Sequence, residues 1–205
     1  LGAVVEFTSR FDRYRPEVKQ RWREADGAGA GLWYDLGPHL IDQTLQLFAM
    51  PSSVTADLVM RRDGAKTVDD FHVVLHYPKM RAVLAASTLV SGGTKRFLLQ
   101  GTKAAWSVDG LDAQESWLKA RLLPGIVGWG GDERQATLYR SVNDESQTSQ
   151  HRLPPGDYAA YYAGIRDALL GKGKNPVPAP EARDVMRVLD AARQSAAEGR
   201  RIALI

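Results

Sequence analysis

Apolar residues recur at helical spacing near the two ends of the chain and alternate with polar residues through its middle. The first helical pattern begins at Pro38, which suits the first turn of a helix, and Pro51 follows the end of the pattern. Its apolar positions are Leu40, Ile41, Thr44, Leu45 and Phe48. The glycine-rich residues 26–31 favour no regular structure. We therefore expect a loop before Pro38, with Asp35 at its end.

Two further helices are predicted near the C-terminus. One carries an apolar stripe over residues 158–169 and stops at Gly171, and the other carries a stripe over residues 185–196 and stops at Gly199. Glycine accepts the left-handed conformation that ends many helices. Residues 202–205 favour a short final strand.

The alternating middle of the chain predicts short strands joined in an antiparallel meander. The predicted strands are residues 3–11, 54–61, 71–77, 81–90, 96–100, 104–108, 136–142 and 148–153. The last two would form a hairpin across Asn143, Asp144 and Glu145. The fold class is therefore α+β, dominated by one large, mainly antiparallel sheet.

Composition excludes several classes of function. The 205 residues include no cysteine, which excludes disulfide scaffolds, thiolate metal sites and cysteine nucleophiles. The net charge is +3 and the basic residues are spread along the chain, unlike the patch of a nucleic-acid-binding protein. The longest apolar runs are far shorter than a membrane span. The four histidines show no metal-ligand spacing, so we expect neither a nucleic acid, a membrane nor a metal as partner.

One segment, residues 31–42, carries candidate chemistry. We expect Asp35 just before the helix, His39 in its first turn and Asp42 one turn later. A carboxylate beside an imidazole fixes its tautomer, and a histidine so held could take a proton from a hydroxyl. Gly37 would permit a close approach of another group. The alternative is structural: Asp35 caps the helix and His39 packs against a neighbouring aromatic ring.

This segment resembles a signature of the Gfo/Idh/MocA oxidoreductases, the family of glucose–fructose oxidoreductase and inositol dehydrogenase. It matches the pattern G-x-x-x-D-x-G-x-H-x-x-D at Gly31, Asp35, Gly37, His39 and Asp42. Residues 100–108, 111–115, 129–130, 158–168 and 176–199 are similar to further segments of the same family's C-terminal domain, in the same order. The resemblance covers nearly the whole chain.

The resemblance implies that residues 1–205 are a single C-terminal domain for substrate binding and oligomerisation. Such a domain has an open-faced sheet with helices packed on one face. The NAD or NADP would bind mainly to an N-terminal Rossmann domain that this chain lacks, and the family's Glu-Lys-Pro motif does not occur here. This chain alone should therefore bind no cofactor and turn over no substrate.

The resemblance also implies roles for individual residues. His39 would be the acid/base and Asp35 its partner, which also contacts substrate. Gly37 and Asp42 would lie next to these two residues without contacting substrate. The residues that would line the substrate site are Arg10, Arg13, Trp33 and Tyr158. The substrate would be a sugar, cyclitol or related polyol. The protein would be cytoplasmic and would form a homo-oligomer through the open face of the sheet. The alternatives are a non-catalytic ligand-binding or dimerisation module, and a scaffold in which Asp35 and His39 are purely structural.

Overall fold

The computed structural model describes residues 1–143 and 145–204, and over these it contains one nine-stranded sheet and four α-helices. The strands are β1 Val4–Arg10, β2 Ser53–Val59, β3 Asp70–His76, β4 Arg81–Ser87, β5 Lys95–Gly101, β6 Ala105–Asp109, β7 Gln135–Val142, β8 Glu145–Arg152 and β9 Ile202–Ala203. The helices are α1 Leu32–Phe48, α2 Gln114–Lys119, α3 Tyr158–Leu169 and α4 Ala179–Glu198. The predicted α+β class is confirmed.

The sheet departs from a simple meander at its centre. Its order is β8-β7-β6-β5-β1-β4-β3-β2-β9, so that the first strand of the chain separates β4 from β5. β1 pairs in parallel with β4 and antiparallel with β5, whereas the other strand pairs are antiparallel. The predicted continuation from β4 to β5 is therefore wrong, because alternation reports that a segment is a strand and not which strand it pairs with.

One face of the sheet is covered by helices. Phe71, Val73 and Leu75 alternate inward on β3 and are buried against α1 and α4. The intervening residues of β3, among them His72 and Val74, point to the opposite face, where they are exposed or half-buried. α1 and α4 thus form a single layer, as expected, and the outer face of these strands is open.

Two predicted elements extend past the described residues. β7 and β8 form the expected hairpin, and Asp144 in its predicted turn lies outside the described residues. β9 confirms the final strand over Ile202–Ala203, while Ile205 also lies outside them. α3 begins and ends at the predicted residues. α4 begins at Ala179, before the predicted stripe, and ends as predicted, with Gly199 in the left-handed conformation.

Gly37 makes a close contact that its small size permits. A Cβ at this position would lie 2.8 Å from Cε3 of Trp33, whose ring is 1% exposed and packs edge-on against Phe71. Gly37 also precedes a proline, and a Cβ there crowds the proline ring. Overpacking a core costs about 1–3 kcal/mol. We expect Gly37→Ala to lower the free energy of unfolding by about 2 kcal/mol, measured by urea denaturation.

Gly27→Ala is the matched control, because a Cβ at Gly27 meets no heavy atom within 4 Å. Surface substitutions of this kind stay within about 0.5 kcal/mol of the parent. A Gly37→Ala protein as stable as the Gly27→Ala protein would show that the Trp33 ring has room to move.

Candidate active site

The helix that carries Asp35 and His39 begins at Leu32, six residues before the predicted start at Pro38. α1 starts at Leu32, with Gly31 at its N-cap at a φ of 94° and the Leu32 amide donating to the Val68 carbonyl at 2.6 Å. Pro38 lies inside the helix. Its ring clashes least after glycine, which has no Cβ, and the burial of the α1 face outweighs the lost backbone hydrogen bond.

This start changes the expected electrostatics of the site. Asp35 lies in the first turn of α1, where the helix N-terminus favours a carboxylate. His39 lies in the third turn, and the effect of the helix terminus has faded there. The predicted placement of Asp35 in a loop and of His39 in the first turn is therefore wrong, although both remain on one side of the helix, four residues apart.

A cleft of about 390 Å³ runs along this side of α1. Asp35, His39 and Gln43, each four residues apart, form one wall of it. The remaining charged residues of the lining are Arg13, Arg23, Arg96, Asp112, Glu115 and Arg134. His39 is exposed to the cleft and Asp35 is half-buried, so that a ligand can reach both side chains.

Asp35 forms ion pairs with two arginines of the loop that follows β1. Its Oδ2 lies 3.6 Å from Nη1 of Arg13, and its Oδ1 lies 3.4 Å from Nη1 of Arg23. Burial lowers the pKa of Arg13, and the nearby Arg15 adds to this lowering while Asp35 opposes it. The two guanidinium groups thus lie against the Asp35 carboxylate, on the side of α1 that also carries His39.

A buried ion cluster holds that loop in place. Nε of Arg62 donates to Oδ2 of Asp69 at 2.8 Å, and Nη1 of Arg62 lies 3.3 Å from Oε2 of Glu24. Nη1 also donates to the backbone carbonyls of Arg15 and Glu17 at 3.2 and 3.1 Å. All three charged side chains are at most 8% exposed. The cluster fixes the segment between Arg13 and Arg23, and thereby both partners of Asp35.

The far wall of the cleft is basic. Arg96 on β5 is 6% exposed, and Nη2 of Arg96 donates to Oε1 of Gln43 at 3.1 Å. Burial, followed by the nearby Arg134, lowers the pKa of Arg96 to about 10. Arg134 itself is bound by the carboxylate of Asp132, with Nε 2.9 and 3.0 Å from the two oxygens.

The third wall joins α2 to the start of α3. The side chain of Gln114, 2% exposed, accepts a hydrogen bond from the backbone amide of Tyr158 at 2.8 Å. Tyr158 lines the cleft, as expected, and burial together with Asp112 and Glu115 raises its pKa. Glu115 lies in the first turn of α2 and also lines the cleft.

Three residues expected at the site lie elsewhere. Trp33 points into the core and not into the cleft, because its position on α1 faces the sheet. Arg10 donates to Asp12 at 2.8 Å and borders a neighbouring depression with residues 92–96. Asp42 borders a separate groove between α1 and α4, beside Glu181 and Asp184. Gly37 supports the site through its contact with Trp33.

Sequence reasoning missed most of the basic lining. Arg23, Gln43, Arg96 and Arg134 come from four distant segments, and no local pattern marks them as neighbours. The similarity of residues 111–115 to a family segment was the one signal available for α2. Among the described residues, no group of three or more His, Asp or Glu side chains is placed to hold a metal ion. No helix in that part of the chain has the length and apolar character of a membrane span.

Comparison with known proteins shows the family. Residues 1–204 match the model of the Gfo/Idh/MocA oxidoreductase family, C-terminal alpha/beta domain. The uncharacterized oxidoreductase YdgJ of Escherichia coli K12 is 44% identical over 196 residues, covering 96% of this chain and 57% of YdgJ. The scyllo-inositol 2-dehydrogenase (NADP⁺) IolW of Bacillus subtilis 168 is 38% identical, covering 100% of this chain and 58% of IolW.

A solved structure agrees with these matches. YPO2259 from Yersinia pestis superimposes with a TM-score of 0.93 at 44% identity, covering 100% of this chain and 58% of that one. The chain thus spans somewhat more than half the length of the relatives that it matches. It belongs to the Gfo/Idh/MocA family of oxidoreductases and corresponds to the C-terminal alpha/beta domain of that family.

Proposed function

We propose that this chain is the substrate-binding and oligomerisation domain of an NAD(P)-dependent oxidoreductase. The enzyme would interconvert a hydroxyl and a carbonyl group on a sugar, cyclitol or related polyol. The observation that carries the proposal is the exposed imidazole of His39 on the cleft wall, beside an Asp35 carboxylate paired with Arg13 and Arg23. Membership of an oxidoreductase family and the name of IolW support the same reaction class.

The dinucleotide is proposed to bind to the part of the protein outside this chain. The glycine-rich residues 27–31 do not fit a phosphate cradle, because a short 3-10 helix, Trp22–Glu24, precedes them instead of a strand.

The residues of this chain handle the proton and orient the substrate. In the direction of oxidation, His39 accepts the proton of the substrate hydroxyl, and NAD(P)⁺, when bound, would accept the hydride from the carbon. In the direction of reduction the cofactor would supply the hydride, and His39 returns a proton to the carbonyl oxygen. Asp35 lies one helical turn before His39 and stabilises the imidazolium that this transfer creates. Tyr158 and Arg13 bound the space in which the polyol would lie. The open outer face of the sheet is the proposed surface for the homo-oligomer.

Nucleotide titration of this chain and of the full-length protein tests whether the dinucleotide binds outside this chain. We expect NADH and NADPH to bind the full-length protein and to show no micromolar affinity for the 205-residue chain, measured by calorimetry. Oxidation of a panel of cyclitols and sugars by the full-length protein tests the activity itself. Micromolar binding to the isolated chain would contradict the proposed division. A full-length protein without turnover would favour the non-catalytic module.

A further inference from the structure

Arg96 is a buried cation whose partners in the described part of the chain are all uncharged. Its Nη1 donates to Oγ of Ser9 at 2.7 Å and to the carbonyl of Arg10 at 3.1 Å, and its Nη2 donates to Oε1 of Gln43. A guanidinium group has five N–H donors, and these contacts use three of them. The Nε–H group and one hydrogen of Nη2 have no acceptor among the described residues.

Two other guanidinium groups in the described part of the chain, that of the buried Arg62 and that of the half-buried Arg134, are compensated by carboxylates. Arg62, 7% exposed, has both Asp69 and Glu24. Arg134 has Asp132, which binds along the edge formed by its Nε and Nη2. A buried charge without a partner is costly, and Arg96, at 6% exposure, is the exception to this pattern.

The carboxylates that line the cleft have other partners. Asp35 is shared by Arg13 and Arg23, and Glu115 forms an ion pair with Lys119. Asp112 accepts hydrogen bonds from the backbone and side chain of Gln114. The Arg96 guanidinium is therefore available to bind an anionic group that enters the cleft.

The surroundings of Arg96 hold its guanidinium plane in one orientation. The group stacks on the ring of Phe97, with its Cζ 4.1 Å from the ring centroid, and lies 5.2 Å from that of Phe11. The unused donors belong to Nε and Nη2, the edge that binds a carboxylate in the Arg134–Asp132 pair. Gln43, which accepts a hydrogen bond from Arg96, lies four residues after His39 on α1, a rise of about 6 Å along the helix axis.

We propose that Arg96 binds an anionic group of the substrate, so that the enzyme acts on acidic sugars, either sugar carboxylates or sugar phosphates. The proposal rests on the proposed function and names its substrate class. The carboxylate or phosphate accepts two hydrogen bonds from the Nε–Nη2 edge, while a hydroxyl group elsewhere on the same sugar reaches His39. Arg134 also lines this cleft, paired with Asp132.

Binding of matched sugar pairs to the full-length protein tests the proposal. The pairs are glucose with glucuronate, galactose with galacturonate, and glucose with glucose 6-phosphate, titrated by calorimetry in the presence of NADP⁺. We expect at least one charged member to bind about tenfold or more tightly than its neutral partner, because charge-assisted hydrogen bonds are the stronger kind. Equal affinity within every pair would overturn the proposal.

Variants assign the effect to this residue. Arg96→Gln is expected to remove the preference for the charged member, and Arg96→Lys to retain part of it, because lysine keeps the charge and loses the planar fork. Arg140→Gln, at an exposed position on β7, is the matched control and should keep the full preference. A preference that survives in Arg96→Gln would also overturn the proposal. Urea unfolding of each variant separates lost binding from lost folding.

Two further readouts separate the possible sources of failure. If Arg96→Gln weakens the binding of NADPH and not that of the sugar acid, the anion is the dinucleotide phosphate and the substrate assignment is wrong. If neutral polyols are oxidised and acidic sugars are not preferred over neutral ones, the proposed oxidoreductase activity is supported and the anion site at Arg96 is refuted. If sugar acids bind through Arg96 and no sugar is oxidised or reduced, the anion site at Arg96 is supported and the proposed activity is refuted.

Discussion

Replacing His39 with glutamine is expected to lower kcat of the full-length enzyme by about 10²- to 10⁴-fold, the range in which general acid–base catalysis contributes. His39 is exposed on the cleft wall and has Asp35 four residues earlier on the same helix. Glutamine keeps hydrogen-bonding capacity and cannot carry the proton. The loss should therefore appear in kcat, with a smaller change in KM, in steady-state kinetics at neutral pH.

His72→Gln is the matched control for this experiment. His72 is exposed on β3, on the open outer face of the sheet, and takes no part in the cleft. Its substitution should leave kcat and KM unchanged within a factor of about two. A His39→Gln enzyme that retained full kcat would show that the Asp35–His39 pair is a structural feature and would remove the proposed mechanism.

Replacing Arg62 with methionine is expected to lower the free energy of unfolding by about 3–5 kcal/mol, the cost of removing one partner from a buried ion pair. The substitution leaves the carboxylates of Asp69 and Glu24 buried without their cation. It also removes the hydrogen bonds from Arg62 to the carbonyls of Arg15 and Glu17. Urea denaturation of this chain followed by circular dichroism measures the loss.

The same substitution should release the loop between β1 and α1. Limited proteolysis with trypsin, which cuts after Arg and Lys, should cleave residues 13–23 faster in Arg62→Met than in the parent chain. Arg166→Met on α3 is the control, because this arginine is exposed and its ion pair with Asp167 is worth about 0–1 kcal/mol. A loss below about 1 kcal/mol for Arg62→Met would mean that the carboxylates are compensated without it.

The elements that could be predicted are those whose burial follows a regular period. α4 is an example: one face of it is buried, and Gly199 ends it in the left-handed conformation that its lack of a side chain permits. β3 is another, because Phe71, Val73 and Leu75 face the helices while His72 and Val74 face outward. In both, neighbours along the chain decide which residues are buried.

The start of α1 could not be predicted because two local rules conflict with packing. Pro38 and Gly37 both disfavour a helix interior, and their presence placed the predicted start too late. The helix nevertheless begins at Leu32, because Leu32, Trp33 and Leu36 bury apolar area against the sheet. That burial is worth about 1.5–3 kcal/mol per large side chain, which exceeds the local penalties.

The sequence by itself determined the α+β class, the approximate extent of most strands and of α3, and the presence of Asp35 and His39 four residues apart on one segment. Only the tertiary structure decided that β1 lies between β4 and β5, that Trp33 faces the core, and that Arg96 and His39 line the same cleft. The physical reason is the distance along the chain over which each interaction acts. Alternation, capping and helical spacing act between near neighbours in the chain, whereas strand order and the charge of a cleft depend on segments that meet only when the core closes.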